Sequence, residues 1–285
     1  MEKVEIDKSE IIQHFPKRQA NSYKGDYGNI VLIGGNQSMG GAIQMAAMAC
    51  VNSGAGLTTV FTDPVNRPAI HSVLPEVMVS DWRRQDSLKK AIEKADVIGI
   101  GPGFGRDHSR FNQIMLLIKQ VIADKILVID ADAISILSQK DQGLDQLSQA
   151  KYLVLTPHYG EWDRLSHGEI SYHDNEGIQS FVNHYQLNLV LKGAPSRLYF
   201  ADHANFYQLA IGNPGMATGG MGDTLTGMVC GFMGQYTDHE AALKAATFLH
   251  SYIADRIYQD QYIVRPSQIA DLLPRVMKEM EAERE

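Results

Sequence analysis

Residues 212–227 read Gly-Asn-Pro-Gly-Met-Ala-Thr-Gly-Gly-Met-Gly-Asp-Thr-Leu-Thr-Gly. Glycines crowd onto a loop and a carboxylate follows at Asp223. Apolar residues then recur at Leu225, Met228, Val229, Phe232 and Met233, the three-and-four spacing of a helix. A glycine-rich loop that feeds a helix N-terminus makes an anion site. Its backbone N–H groups point outward, the helix dipole favours negative charge, and no Cβ holds phosphate at a distance. Asp223 has the wrong sign for a phosphate ligand. It suits a base held where a phosphoryl group meets an attacking hydroxyl. The plainer alternative is a helix N-cap, which Asp also serves well.

Working outward, short apolar runs alternate with helical patterns. Residues 29–33, 57–62, 96–100, 126–129, 152–155 and 188–191 read as strands, and 197–200 with 205–209 as a hairpin. Helices are expected over 41–53, 111–122, 224–236 and 240–257. Nearly unbroken apolar strands between helices point to a mostly parallel sheet covered on both faces, an α/β fold in three layers. With no Pro-, Gly- or Ser-rich linker and no repeat, residues 1–285 read as a single domain. Residues 1–28 and 277–285 carry the weakest pattern, and the tail from Lys278 is expected to fray.

Composition narrows the function classes. The chain has 285 residues, 44% of them hydrophobic, and a formal charge of -7 without a basic run, which argues against nucleic acid as a partner. Cys50 and Cys230 each lie inside an apolar helical pattern and read as core residues in a reducing compartment. The first eight residues hold no apolar signal region, and no stretch approaches the roughly 18 apolar residues of a membrane span. The expectation is a soluble cytoplasmic protein.

Polar residues gather beyond the carboxyl ends of the expected strands: Gly34 and Gly35, the run from Gly101 to Gly105, Asp130 and Asp132, His158, and Lys192. Open α/β sheets bind ligands along that edge. Singly, each has a plainer reading: a turn for the Gly101 run, a surface cap for His158, a first-turn acid for Glu161. Tyr159 and Trp162 read as core rather than ring-stacking groups. The glycines after Ile33 do not form Gly-x-Gly-x-x-Gly, which weakens a dinucleotide-dependent redox enzyme.

Taken in order, several segments resemble the ADP/ATP-dependent NAD(P)H-hydrate dehydratase family of the ribokinase-like superfamily. They are Lys-Gly-Asp-Tyr-Gly at 24–28, Gly34-Gly35 with Ala42, Gly-Pro-Gly-Phe-Gly-Arg at 101–106, Asp-Ala-Asp at 130–132, Thr-Pro-His-Tyr-Gly-Glu at 156–161, Leu-Lys-Gly-Ala at 191–194, and the 212–227 run. The resemblance spans residues of about 24 to 255. It implies a ribokinase-like α/β/α sandwich and a repair reaction: nucleotide-dependent removal of water from the S form of hydrated NADH or NADPH. Phosphorylation turns a poor leaving group into a good one, so the chemistry opens as a kinase step.

The resemblance also implies roles. Asp223 is the general base. Ala42, Gly103, Gly105 and His158, with Asp223, line the hydrated dinucleotide. Lys192, Gly193, Ala194, Pro195 and Ser196, with Asn213, Thr218, Gly219, Gly220 and Gly222, hold the nucleotide, although Pro195 lacks a backbone donor. Glu161 orders Mg²⁺ through water. ADP (or ATP) is the co-substrate. A separate epimerase supplies the S form, since the chain is too short at its N-terminus to carry the fused epimerase domain of some members. A homotetramer is expected. The rival reading is a small-molecule kinase of the same superfamily, acting on an alcohol such as a vitamin precursor. A nucleotide-binding regulator gains nothing from a carboxylate at 223.

Overall fold

The computed structural model describes residues 1–139 and 143–284. Its strands are β1 (Glu2–Ile6), β2 (Asn29–Ile33), β3 (Leu57–Thr62), β4 (Met78–Asp81), β5 (Val97–Ile100), β6 (Ile126–Ile129), β7 (Tyr152–Leu155), β8 (Asn188–Leu191), β9 (Arg197–Tyr199) and β10 (Asn205–Leu209). Its helices are α1 (Lys8–His14), α2 (Gly40–Asn52), α3 (Arg67–Val73), α4 (Gln85–Lys94), α5 (His108–Lys119), α6 (Ala131–Leu137), α7 (Tyr159–Leu165), α8 (Asn175–Tyr185), α9 (Met221–Met233), α10 (His239–Tyr258) and α11 (Pro266–Glu283).

All the strands join one ten-stranded sheet in the order β1-β10-β9-β8-β7-β6-β5-β2-β3-β4. Pairing is parallel except where β9 meets β8 and β10. Alternate residues of β2 go to opposite faces. Ile30 and Leu32 join a core with α2, α9, α10 and α11, whereas Val31 and Ile33 join a core with α4 through α8. Burial on both faces is why these strands read as unbroken apolar runs. The three layers expected from the sequence are thus present.

The order of the sheet locates a crevice. From β2 the chain moves outward through β3 to β4, then returns to β5 on the other flank of β2. The connections after β2 and after β5 therefore leave in opposite directions, and such a switch point opens a cleft at the carboxyl edge. The two loops are laced together there: Gly35 donates its N–H to the Pro102 carbonyl (2.9 Å) and Asn36 to the Gly103 carbonyl (2.7 Å). Gly101, at φ 135°, approaches β6 so closely that a Cβ would lie 1.8 Å from the Asp130 carbonyl oxygen. Only glycine fits there.

Three sequence expectations need correction. The N-terminal residues are not loose, because β1 pairs in parallel with β10 along its full length. The C-terminal tail does not fray at Lys278: α11 continues to Glu283, Met280 is buried in the core, and Arg284 donates to the Phe15 carbonyl. A pattern of mixed charges hid an amphipathic face that only the packed sheet makes useful. The 224–236 helix begins three residues earlier, at Met221, which places Asp223 inside its first turn.

Candidate active site

Helix α9 starts from Gly220, which serves as N-cap with φ 96° and has no side chain to cap the helix. Asp223 is the third helical residue, so it is not the N-cap that the simpler reading requires. Its carboxylate has no hydrogen-bond partner among the described residues. Burial pushes its pKa up to about 7, and the negative charge of Asp130 adds to the rise while Lys192 opposes it. Asp132 and Glu161 contribute further upward pressure. A carboxylate near neutrality is half ready to accept a proton, as a general base requires.

Lys192, just past β8, organises the charges beneath Asp223. Its ammonium donates to Asp130 Oδ1 (2.7 Å) and lies 3.7 Å from Glu161 Oε2. Asp130 Oδ2 accepts from the Thr226 hydroxyl (2.6 Å), tying the end of β6 to α9. A Cβ on Gly222 would lie 3.1 Å from the Lys192 ammonium, so the glycine lets the cation come up under the loop. Burial pulls Lys192 down, but Asp130 and Glu161 outweigh it and leave the ammonium above its ordinary pKa. It stays charged. Burial raises the pKa of Glu161, with Lys192 opposing.

Beside this cluster lies a cleft of about 660 Å³ lined by residues 192–196, by 208–214, and by Met216, Ala217, Met221, Gly222 and Leu225. Helix α10 adds Thr247, His250 and Ser251 to its wall. The cleft therefore brings together Lys192, Gly193, Ala194, Pro195, Ser196, Asn213 and Gly222, all expected to hold nucleotide. Thr218, Gly219 and Gly220 lie on the same loop. The Thr218 hydroxyl donates to the Val264 carbonyl (3.0 Å), and Gly220 rests against Met45 of α2. Asp255 anchors the loop's start, accepting from the Gly212 N–H (3.0 Å) and the Asn213 amide (2.7 Å). His250 donates Nε2–H to the Met221 carbonyl (3.1 Å), and burial drives its pKa down to about 4, so it stays neutral.

At the switch point, Ala42 and Gly103 face each other. A Cβ on Gly103 would meet the Ala42 Cβ at 2.9 Å. Gly105 donates its N–H to Asp132 Oδ2 (2.7 Å). His158 lies across the sheet edge, where it bridges in parallel with Lys192. It caps α7: Nδ1 accepts from Gly160 (3.0 Å) and Glu161 (3.4 Å), while Glu161 Oε2 accepts from the His158 N–H (2.9 Å). Its ring remains open to ligand, with 55% of the side chain exposed. Trp162 is core, as read from the sequence, but Tyr159 is 62% exposed, beside Tyr172 at a ring separation of 5.4 Å. The first position of α7 points it to the rim, a fact the local pattern does not encode.

A resident metal centre does not fit these groups. Among the described residues no set of three or more His, Cys, Asp or Glu is arranged to hold an ion. Glu161 already faces His158 on one oxygen and Lys192 on the other. The site nonetheless carries four carboxylates (Asp130, Asp132, Glu161, Asp223) around one ammonium. That surplus suits a cation arriving on phosphate oxygens, the usual habit of Mg²⁺.

Sequence reading missed Asp255, Thr247, His250 and Ser251. All four lie on α10, where Thr247, His250, Ser251 and Asp255 share a face at three-and-four spacing, a signal available before the structure. The partners of Asp255 were not legible, because they are 42 and 43 residues away.

The NAD(P)H-hydrate dehydratase family model matches residues 30–275. The ADP-dependent (S)-NAD(P)H-hydrate dehydratase of Staphylococcus aureus is 42% identical over 269 residues, covering 94% of this chain and 95% of that one. A solved ribokinase-like superfamily protein of Enterococcus faecalis superposes with a TM-score of 0.91 at 38% identity, covering 98% of this chain and 96% of that one. The ADP/ATP-dependent NAD(P)H-hydrate dehydratase of Bacillus subtilis, crystallised with ATP and Mg²⁺, gives 0.80 at 28% identity, covering 96% and 98%.

Proposed function

The chain belongs to the NAD(P)H-hydrate dehydratase family, and from that premise we propose how its residues carry out the reaction. The enzyme is a hydro-lyase that returns the S form of hydrated NADH or NADPH to the reduced dinucleotide, converting ADP to AMP and phosphate. The observation that carries the assignment of roles is the position of Asp223. It lies in the first turn of α9, next to Gly222 and Met221 of the 660 Å³ cleft's lining, makes no hydrogen bond among the described residues and has its pKa raised to about 7.

ADP occupies the cleft between residues 192–196 and 212–222, its terminal phosphate against the α9 N-terminus. The hydrated nicotinamide enters past Ala42, Gly103 and Gly105, with His158 donating to a phosphate or ribose oxygen. Asp223 takes the hydroxyl proton as the substrate oxygen attacks the β-phosphorus, and AMP leaves. N–H groups of residues 219–222 and the Lys192 ammonium stabilise the equatorial charge. The phosphate ester then eliminates. Magnesium would arrive with the nucleotide phosphates and supply positive charge to them, and Glu161 would be the carboxylate to hold it through water.

Hydration gives both epimers at the nicotinamide, so a separate epimerase converts the R form into substrate. The protein works in the cytoplasm, where its substrates are, as a homotetramer; light scattering tests the assembly, and a monomer mass is the contrary result. The decisive experiment is incubation with hydrated NADH, Mg²⁺ and either ADP or ATP. Recovery of the reduced-nicotinamide absorbance with one AMP per NADH is expected. A stable phosphate ester without NADH would instead identify a kinase.

A further inference from the structure

The reaction has two deprotonations, and Asp223 accounts for one. Phosphoryl transfer breaks the O–H bond of the substrate, and that proton goes to Asp223. Elimination then breaks the C6–O bond, whose electron pair leaves on phosphate with N1 of the ring assisting. It also breaks a C5–H bond, whose pair becomes the C5=C6 double bond. This second proton leaves a carbon on the ring itself, at a moment when Asp223 already carries the first.

We propose that Asp132 is the base that takes the C5 proton, which makes it a second catalytic residue of this site; the proposal rests on the placement of the hydrated dinucleotide given above. Asp132 is the side chain that receives the Gly105 N–H (2.7 Å through Oδ2), in the loop that borders the hydrated ring. Its Oδ1 has no hydrogen-bond partner among the described residues. The side chain is partly exposed, whereas Asp130, two residues earlier, is buried in its bonds to Lys192 and Thr226.

The backbone separates these two carboxylates. Ala131 sits at φ 50°, in the left-handed region that alanine rarely adopts. Such a conformation is strained and persists only where the surroundings enforce it. Here it turns the chain sharply between Asp130, committed to the charge cluster under α9, and Asp132, committed to the acceptor loop. Asp132 is also close enough for its charge to act on Asp223. After the step, Asp132 holds the C5 proton and passes it to the departing phosphate or to water.

The test is a single turnover with enzyme in excess over hydrated (S)-NADH, with ADP and Mg²⁺, following AMP by chemical quench and NADH by absorbance. In the wild-type protein the two products rise together. Asp132→Asn keeps an acceptor for the Gly105 N–H and loses the base. It is expected to form AMP within about threefold of the wild-type rate while NADH appears about 10²–10³-fold more slowly, with a phosphorylated hydrate accumulating in the ³¹P spectrum. Asp132→Glu, which retains a carboxylate, should bring NADH at least tenfold back toward AMP; a Glu variant as delayed as Asn overturns the proposal. NADH keeping pace with AMP in Asp132→Asn also overturns it, and assigns the C5 proton to the leaving phosphate. Equal slowing of both products overturns it too, leaving Asp132 as support for the Gly105 loop. A wild-type protein that forms no AMP would instead sink the underlying reading of the enzyme.

Discussion

On the α10 flank of the site, the wall is made of side chains. Lys192, Leu225, Thr247, His250 and Ser251 line the cleft, and Asp255 pins the loop that closes it. On the side that faces β2 and β5, the wall is made of backbone. Gly35, Asn36, Pro102 and Gly103 bond to one another through main-chain groups, and Gly103 packs too closely against Met39 and Ala42 to carry a Cβ. The first flank can be loosened by removing a group, and the second blocked by adding one. Asp223 is proposed to serve both ligands, so damage there should not discriminate between them.

The largest effect is therefore expected at Asp223. Asp223→Asn should lower turnover about 10²–10⁴-fold while ADP protects residues 192–196 and 212–222 from hydrogen exchange as in the wild type. A variant that keeps more than about a third of the wild-type rate would remove the base from the mechanism. Because the carboxyl titrates at about 7, wild-type kcat/KM should climb about tenfold per pH unit below that value and level off above it. A profile flat from pH 5 to 8 would contradict that assignment.

Next, Ala42→Leu should raise KM for the hydrated dinucleotide by at least about tenfold and leave the affinity for ADP nearly unchanged. Parallel loss of both, with the melting temperature preserved, would mean that the two ligands have been placed the wrong way round. A smaller, opposite selectivity is expected from Asp255→Ala. It frees the Gly212 and Asn213 donors, and loss of two such bonds costs roughly 1–2 kcal/mol of loop order. ADP affinity should fall by about threefold to tenfold, measured by calorimetry, with the KM for the hydrate steady.

The smallest effect is on stability. The folded pKa of Asp223 lies above its ordinary 3.8, so its protonated form is favoured in the folded state. The stabilisation this gives is full below about pH 3.8 and is lost as pH rises through about 7. Asn at 223 carries no such loss. At pH 8 Asp223→Asn should be more stable by on the order of 2 kcal/mol, about half of the full conversion of three pKa units because the cleft admits water. Equal urea midpoints at pH 8 would show that the crowding of carboxylates has no energetic cost.

Much of this arrangement was legible because it is local. Strands buried on both faces leave continuous apolar runs, and the limits of β2, β3, β6, β7, β8 and β10 coincide with those runs. The Cys50 and Cys230 side chains are free and buried, as expected of core residues. The start of α9 was less legible, because Gly220, Met221 and Gly222 look like loop until a left-handed N-cap lets the helix begin among them. Strand β1 was not legible at all. Glu2, Lys3, Val4, Glu5 and Ile6 alternate too weakly to stand alone, and they become a strand because β10 offers them a parallel edge.

The sequence by itself determined which chemistries were available: a phosphate loop opening a helix, a carboxylate in the wrong place for a ligand, and glycines at strand ends. These follow from residue type and from periods of two to four positions, which the chain expresses without its neighbours. The tertiary structure alone decided what Asp223 is. Its raised pKa depends on burial and on Asp130, Asp132, Glu161 and Lys192, which lie between 31 and 93 positions away. Charge acts through space and burial, and neither can be computed along a chain until the fold has brought those groups together.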